Sequence, residues 1–178
     1  KQLLDGYTCT ECGRCHEVCP AQNTGKPLSP RKIVTDVRHR LEERGPGLVA
    51  LAKAKAAAAA SGGEAPAAEE SDTRLIGEPY ITEEELWSCT SCRACEQECP
   101  VMIEHVSTIV ELRRYLALTE GNMPAEAIVA CKNMETNYTP WSMSHATRAD
   151  WAKDLDAPLM AEKADSEVDV LFWVGCAG

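Results

Sequence analysis

Two stretches of this sequence share one cysteine spacing: residues 9–20 read CTECGRCHEVCP, and residues 89–100 read CTSCRACEQECP. Each is a C-x2-C-x2-C-x3-C-P run, the pattern that binds [4Fe–4S] clusters in bacterial two-cluster ferredoxins. In those proteins the fourth cysteine of each run ligates the other cluster. The spacing therefore predicts two [4Fe–4S] clusters with exchanged ligands. The predicted first set is Cys9, Cys12, Cys15 and Cys99, and the predicted second set is Cys89, Cys92, Cys95 and Cys19.

Two other uses of closely spaced cysteines fit the pattern less well. A structural zinc site takes four ligands, often as cysteine pairs, so a third close cysteine followed by Pro20 or Pro100 would be superfluous. A disulfide framework is typical of small secreted chains, and we recognise no signal-peptide pattern in these residues. Duplication of the whole motif favours the iron–sulfur interpretation.

Composition narrows the class of protein further. The formal charge is −10 with histidine neutral, which argues against a nucleic-acid partner because nucleic-acid binding needs a basic surface. The sequence has one Phe and four each of Trp and Tyr, so we expect metal binding to supply much of the folding free energy. The sequence lacks an apolar run of eighteen residues and so predicts no transmembrane helix. Ten cysteines that must stay reduced predict a cytoplasmic location, or one at the cytoplasmic face of a membrane.

The fold class that the pattern predicts is mainly α, an α-helical two-cluster ferredoxin domain. Ser29 followed by Pro30 predicts a helix start, and apolar periodicity carries the helix to about Arg44, where residues 45–47 (GPG) should end it. A capping box at residues 82–85 predicts a helix start before the second motif. Further helices are expected after Pro100 and from Pro124.

Composition also divides the chain into segments. We expect a ferredoxin domain at residues 1–136, interrupted at residues 45–73 by an exposed insertion rich in Ala, Gly and Glu. A connector should follow at residues 137–167. Residues 168–174 (VDVLFWV) predict a buried parallel strand, which needs neighbouring strands. We therefore expect residues 168–178 to begin a further domain of a longer protein.

Several side chains outside the motifs have competing interpretations. Cys131 is predicted to be a buried thiol rather than a ligand, because both clusters are already complete. His16 is expected to be an ordinary exposed residue, with tuning of the first cluster as the alternative. A basic strip on the helix after the first motif is expected to be a solvated face, with docking of an acidic partner as the alternative. The strip comprises Arg31, Lys32, Arg38, Arg40 and Arg44.

Residues beyond the cysteines resemble a known group, the heterodisulfide-reductase-like iron–sulfur oxidoreductases. Residues 99–106 (CPVMIEHV) and 112–116 (LRRYL) look like the second cluster motif and following helix of its electron-transfer-flavoprotein:quinone oxidoreductase branch. Residues 148–152 (RADWA) and 169–176 (DVLFWVGC) look like the lead into that branch's α/β cysteine-rich domain. Other members of the group are iron–sulfur subunits of glycerol-3-phosphate, glycolate and lactate oxidation.

The resemblance, which covers residues 7–44 and 75–178, implies an electron-transfer function. Such a module relays single electrons between a flavoprotein, as donor, and a quinone-reactive or cysteine-rich catalytic domain or subunit, with a membrane subunit as a further candidate partner. Cys176 matches the first cysteine of the cysteine-rich domain, but a lone cysteine cannot build a cluster. The chain should thus be part of an oxidoreductase, yet transfer electrons without catalytic residues of its own. The alternatives are a soluble ferredoxin-like subunit of a cytosolic heterodisulfide-reductase-type complex and a cluster-bearing regulator.

Overall fold

The computed structural model describes residues 1–61, 74–155, 159–162 and 168–175. Within those residues the structure is helical, and the only β pairing is an isolated bridge between Ile76 and Ile81. The α-helices are α1 (Gln2–Thr8), α2 (Arg14–Glu17), α3 (Pro20–Asn23), α4 (Pro30–Ser61), α5 (Glu83–Trp87), α6 (Ala94–Gln97), α7 (His105–Leu118) and α8 (Ala125–Asn137). Short 3₁₀ helices follow at His145–Thr147, Asp150–Ala152 and Met160–Glu162. The predicted mainly α class is confirmed.

The chain divides into two compact units, residues 1–122 and 123–178. The first unit contains both cysteine motifs. Its helices α1, α2 and α7 pack on α4, while α7 also contacts α5 and α6, and α2 contacts α6. The long helices α4 and α7 are thus the frame on which the short helices of the motifs are held.

Helix α4 begins as the sequence predicts but ends elsewhere. The Ser29 hydroxyl accepts a hydrogen bond from the backbone N–H of Lys32 at 3.4 Å, and Pro30 occupies the first helical position. The predicted end near Arg44 is wrong, because the helix continues through Pro46 to Ser61. A proline inside a helix removes one hydrogen bond and clashes with the preceding turn, at a cost of about 3 kcal/mol, but the Ala-, Leu- and Lys-rich residues 48–61 that follow have high helix propensity. These residues are largely exposed, as expected for the first part of the insertion; residues 62–73 lie outside the described part.

The core of the first unit forms where α4, α5 and α7 meet. Ile33 of α4, Leu86 of α5, and Ile109 and Leu116 of α7 have no measurable exposure. They pack with the buried residues around the first motif's last cysteine, Cys19. The apolar stripes that predicted α4 and α7 therefore face one another, and the hydrophobic core directly adjoins a cysteine motif.

An internal ion pair joins the segment after the first motif to the segment before the second. The Glu85 side chain accepts a hydrogen bond from the backbone N–H of Thr82 at 2.8 Å, and the backbone N–H of Glu85 donates to the Thr82 hydroxyl at 3.2 Å. These two bonds confirm the predicted capping box. The ammonium of Lys32 on α4 lies 3.1 Å from Glu85 and 2.9 Å from Asp36, and it donates to the Tyr80 carbonyl at 2.5 Å. Because Glu85 is buried, these contacts fix α5 against α4.

The second unit is less compactly packed. Helix α8 has no buried residue, and Cys131 on it is exposed, so the prediction of a buried thiol is wrong. Its apolar neighbours Ile128 and Met134 are half exposed, which explains the error: the apolar stripe does not meet a core. Residues 168–175 form no strand with any other described residue, and Trp173 is 85% exposed. None of the helices in the described residues is long and apolar enough to cross a membrane.

Candidate iron–sulfur centres

The eight motif cysteines surround two separate cavities in the first unit. Each cavity takes three cysteines from one motif and the fourth from the other. One cavity is lined by Cys9, Cys12, Cys15 and Cys99. The other is lined by Cys19, Cys89, Cys92 and Cys95. The structure thus brings together the two sets that the sequence predicts.

Each set of four cysteines lines one cavity. Among the described residues, no group of three or more His, Cys, Asp or Glu side chains is placed to hold a single metal ion. A tetrahedral zinc site would need four ligand atoms within about 2.3 Å of one centre. Four thiolates around a cavity fit instead a cluster in which each sulfur binds a different iron. The four cysteines around each cavity therefore fit a [4Fe–4S] group.

Two left-handed residues shape each motif loop. Glu11 and Gly13 have φ values of 56° and 83°, and the matching positions of the second motif, Ser91 and Arg93, have φ values of 57° and 62°. Two left-handed residues on either side of the second cysteine curl the backbone sharply, so the first three cysteines of each motif line the same cavity. Gly13 suits its position because only glycine adopts this conformation without cost. At Arg93 the same conformation is imposed on a residue with a side chain, a match between the motifs that the sequence alone did not reveal.

The short helices of the motifs carry the third cysteines inward. Cys15 on α2 and Cys95 on α6 are each 7% exposed and pack against one another with Val106 of α7. By contrast, Cys12 and Cys92 are exposed at the rims of their loops. The contact between Cys15 and Cys95 places the two cavities side by side. Clusters held in the two cavities would therefore lie close to one another, as electron transfer between them requires.

Burial also sets the protonation of the thiols in the metal-free chain. Burial, reinforced by the neighbouring thiols Cys9, Cys99 and Cys12, raises the pKa of Cys15 to about 11. Burial, with Glu96 and the nearby cysteines, raises the pKa of Cys95 to about 12. A backbone hydrogen bond from Arg14 lowers the pKa of Cys12. The inner thiols are therefore protonated without a cluster and must release protons when iron binds.

Backbone N–H groups contact some of the sulfurs. The N–H of Ser91 donates to Cys89 Sγ at 3.4 Å, and the N–H of Ile103 donates to Cys99 Sγ at 3.4 Å. Hydrogen bonds of this kind to cluster sulfurs are one means by which a protein adjusts a cluster's reduction potential. One contact is to the first cysteine set and the other is to the second. In both centres, therefore, backbone hydrogen bonds as well as burial can adjust the reduction potential.

Arg113 of α7 holds the segment that leads into the second motif. Its guanidinium donates to the Leu86 carbonyl at 2.9 and 2.6 Å and to the Cys89 carbonyl at 2.5 Å. It also lies over the ring of Trp87, 5.0 Å from the ring centroid. Arg113 thereby fixes the backbone on which the first cysteine of the second motif sits. The sequence pattern predicts that this arginine lies on the helix but assigns it no role.

The other candidate side chains have local partners. His16 is half-buried, and its Nδ1 lies 3.0 Å from the hydroxyl of Ser29, so it is neither simply exposed nor aimed at a cluster by this contact. In the basic strip, Lys32 and Arg38 pair with carboxylates, including a 2.5 Å contact from Arg38 to Glu11. Cys176 lies outside the described residues.

The helical frame, with two cavities that share their cysteines crosswise, defines the class of two-cluster ferredoxin domains. The chain belongs to the 4Fe–4S dicluster domain family, whose family model matches residues 8–103. It accordingly holds two [4Fe–4S] clusters and serves as an iron–sulfur electron-transfer module.

Named relatives confirm the resemblance noted above. The chain is 45% identical to the "Probable iron-sulfur-binding oxidoreductase FadF" of Bacillus subtilis, over 99% of this chain and 28% of that protein. It is 40% identical to the "EtfAB:quinone oxidoreductase" of Syntrophomonas wolfei, over 99% of this chain and 26% of that protein. It is 31% identical to one subunit of a CoB-CoM heterodisulfide reductase of Methanosarcina acetivorans, over 69% of this chain and 53% of that protein. The chain spans about a quarter of the first two relatives.

Proposed function

We propose that this chain relays single electrons between a flavoprotein and a quinone-reactive or disulfide-reducing site through two clusters with exchanged ligands. The flavoprotein is a dehydrogenase or an electron-transfer flavoprotein. The observation that carries the proposal is the crossed pairing of the cysteines around two adjoining cavities.

In this proposal the first cluster is held by the set around the first motif and the second by the set around the second. The first ligand set is Cys9, Cys12, Cys15 and Cys99, and the second is Cys89, Cys92, Cys95 and Cys19. Bound clusters supply the one-electron chemistry, and the chain's own residues hold, shield and tune them. The exchanged ligands Cys19 and Cys99 also join the two halves of the domain.

The names of the relatives support the choice of partners. One relative is named for electron-transfer flavoprotein and quinone, and another for heterodisulfide reduction. We therefore assign the chain an electron-transfer role within an oxidoreductase, with the substrate reaction completed by a partner domain or subunit. A soluble subunit of a heterodisulfide-reductase-type complex is the second candidate, favoured by the match to the Methanosarcina acetivorans protein over 53% of its length. Reduced cysteines suit the cytoplasmic side of the cell in both cases.

The domain boundaries of the proposal are those that composition suggests. Residues 1–136 are the ferredoxin domain with its insertion at residues 45–73, residues 137–167 are a connector, and residues 168–178 begin a cysteine-rich domain. Val170, Phe172 and Trp173 are each more than 70% exposed, so in this proposal the segment would become a buried strand only when another domain contributes the neighbouring strands.

Reduction by candidate donors tests the proposal. Oxygen-free protein with both clusters is mixed with reduced electron-transfer flavoprotein, and the bleaching of cluster absorbance is followed in a stopped-flow instrument. The proposal predicts rapid single-electron reduction, followed by reoxidation by a quinone analogue only when the partner domain is supplied. Reduction by a ferredoxin but not by the flavoprotein would favour the second candidate. A fully loaded protein that exchanges electrons with neither donor would overturn both.

A further inference from the structure

The two cavities differ in one buried polar side chain. His105, the first residue of α7, is 1% exposed and lines the cavity of the first cysteine set. One turn later on α7, Ile109 is fully buried and lines the cavity of the second set. The same face of one helix therefore presents an imidazole to the first site and a hydrocarbon to the second.

One ring nitrogen of His105 is buried without a hydrogen-bond partner. Its Nδ1 is buried and makes no hydrogen bond with any described residue. Burial lowers the pKa of His105, an effect that the Ile103 carbonyl and the carboxylates of Glu96 and Asp5 partly offset. A buried polar group without a partner is costly, so the loaded protein should supply one. Cluster sulfides and cysteine sulfurs accept hydrogen bonds and do not donate them, so a ring N–H is the group that suits this cavity.

We propose that His105 donates a hydrogen bond to the first cluster, and so raises the reduction potential of that cluster relative to the second. The inference rests on the proposed ligand sets. A donor near the sulfurs stabilises the reduced cluster more than the oxidised one, because reduction adds negative charge. His105 therefore acts through the reduction potential of the first cluster, and it favours that cluster as the site at which the first electron is held. The ring also interacts with the backbone of Ile103; because a neutral imidazole carries one N–H, donation from the unpartnered nitrogen requires that proton on Nδ1.

A matched pair of leucine variants tests the proposal. His105→Leu removes the donor and Ile109→Leu changes only the branching of a hydrocarbon on the same face of α7. EPR-monitored redox titrations should show one potential lowered in His105→Leu and neither moved in Ile109→Leu. The expected effect is on the order of a tenfold change in the reduced-to-oxidised ratio at a fixed solution potential, which is about 59 mV for one electron. The signal that moves should be the one that Cys12→Ser also alters.

A donor is distinguished from a space filler by His105→Gln, whose amide N–H can replace the lost hydrogen bond. Its potential should lie between those of His105→Leu and the unaltered protein. Unchanged potentials in a His105→Leu protein that retains about eight irons would overturn the inference and leave the electron-transfer function intact. Equal shifts in the Leu and Gln variants would also overturn it, since the effect would then come from packing.

If the leucine variant does not assemble its clusters, spectroscopy of protein that retains His105 still tests the inference. ENDOR of protein labelled with ¹⁵N-histidine should show a nitrogen coupled to the reduced first cluster. The same coupling should persist in His16→Gln and in His39→Gln, which remove the other histidines near the first motif. Absence of any coupling, or its loss in either of these variants, would contradict the assignment to His105.

Discussion

Replacing Arg113 with methionine should loosen the second cluster without disturbing the fold elsewhere. The guanidinium donates to the carbonyls of Leu86 and Cys89 and covers the ring of Trp87. Hydrogen bonds to a charged group are each worth about 1.5–3 kcal/mol. Arg113 is half-buried, so we take about 1.5 kcal/mol, the low end, for each carbonyl that it serves. Methionine keeps the apolar contacts of the stem, so the expected loss is about 3 kcal/mol.

That loss should appear as faster release of iron from the second cluster. If local opening of the loop at Cys89 limits release, about 3 kcal/mol corresponds to an increase on the order of 100-fold. The assay is anaerobic transfer of iron to a chelator, with EPR used to identify which cluster remains. Arg114→Met is the matched control, because this neighbouring arginine is exposed and pairs with Glu111 on the surface. A surface pair of that kind is worth at most about 1 kcal/mol, so the control should release iron within about fivefold of the unaltered rate. Equal release rates in the two variants, or earlier loss of the first cluster in Arg113→Met, would refute the assigned role.

Three further predictions concern the frame and the unassigned cysteine. Glu85→Ala should cost about 2–3 kcal/mol, because it leaves Lys32 with fewer partners; this lies below the ~3–5 kcal/mol of a fully buried pair because the lysine is partly exposed. Urea-induced loss of cluster absorbance measures this cost, and a midpoint equal to the unaltered protein's would contradict the bracing role. Thr82→Ala should cost about 1 kcal/mol through loss of the helix cap, while Thr82→Ser should restore most of it in the same assay. Cys131→Ser should leave iron content and both EPR signals unchanged, since the exposed thiol lies in neither set; any loss of iron would show otherwise.

The site is easier to predict from the sequence than the fold around it. The spacing of the cysteines reflects the geometry of the cluster that they bind. The duplicated motif therefore indicates both the clusters and the exchange of the fourth ligand. The helices that face the core are predictable too, because Ile33 on α4 and Ile109 on α7 belong to regular apolar stripes. These features depend on local pattern, which a single sequence displays.

Features that depend on tertiary context are not predictable in this way. Glycine and proline are local stop signals, so the pattern ends α4 at residues 45–47, yet the strong helix formers that follow carry the helix past Pro46. The apolar stripe of α8 predicts a core around Cys131, but α8 has no buried residue in the part of the chain that the structure describes. The role of Arg113 depends on carbonyl groups more than twenty residues away in sequence, and that of His105 depends on a cavity that exists only in the folded chain. No local pattern marks an imidazole that will face a cavity or an arginine that will meet two carbonyls.

The exchange of cysteines between the two centres is tested most directly by Cys19→Ser, studied by EPR and iron analysis under anaerobic conditions. Our account predicts that this change in the first motif disturbs the cluster bound by Cys89, Cys92 and Cys95 and leaves the signal of the other cluster intact. Cys99→Ser should give the mirror result. Loss of the cluster bound by the other cysteines of its own motif, with the distant cluster unaffected, would contradict the crossed arrangement.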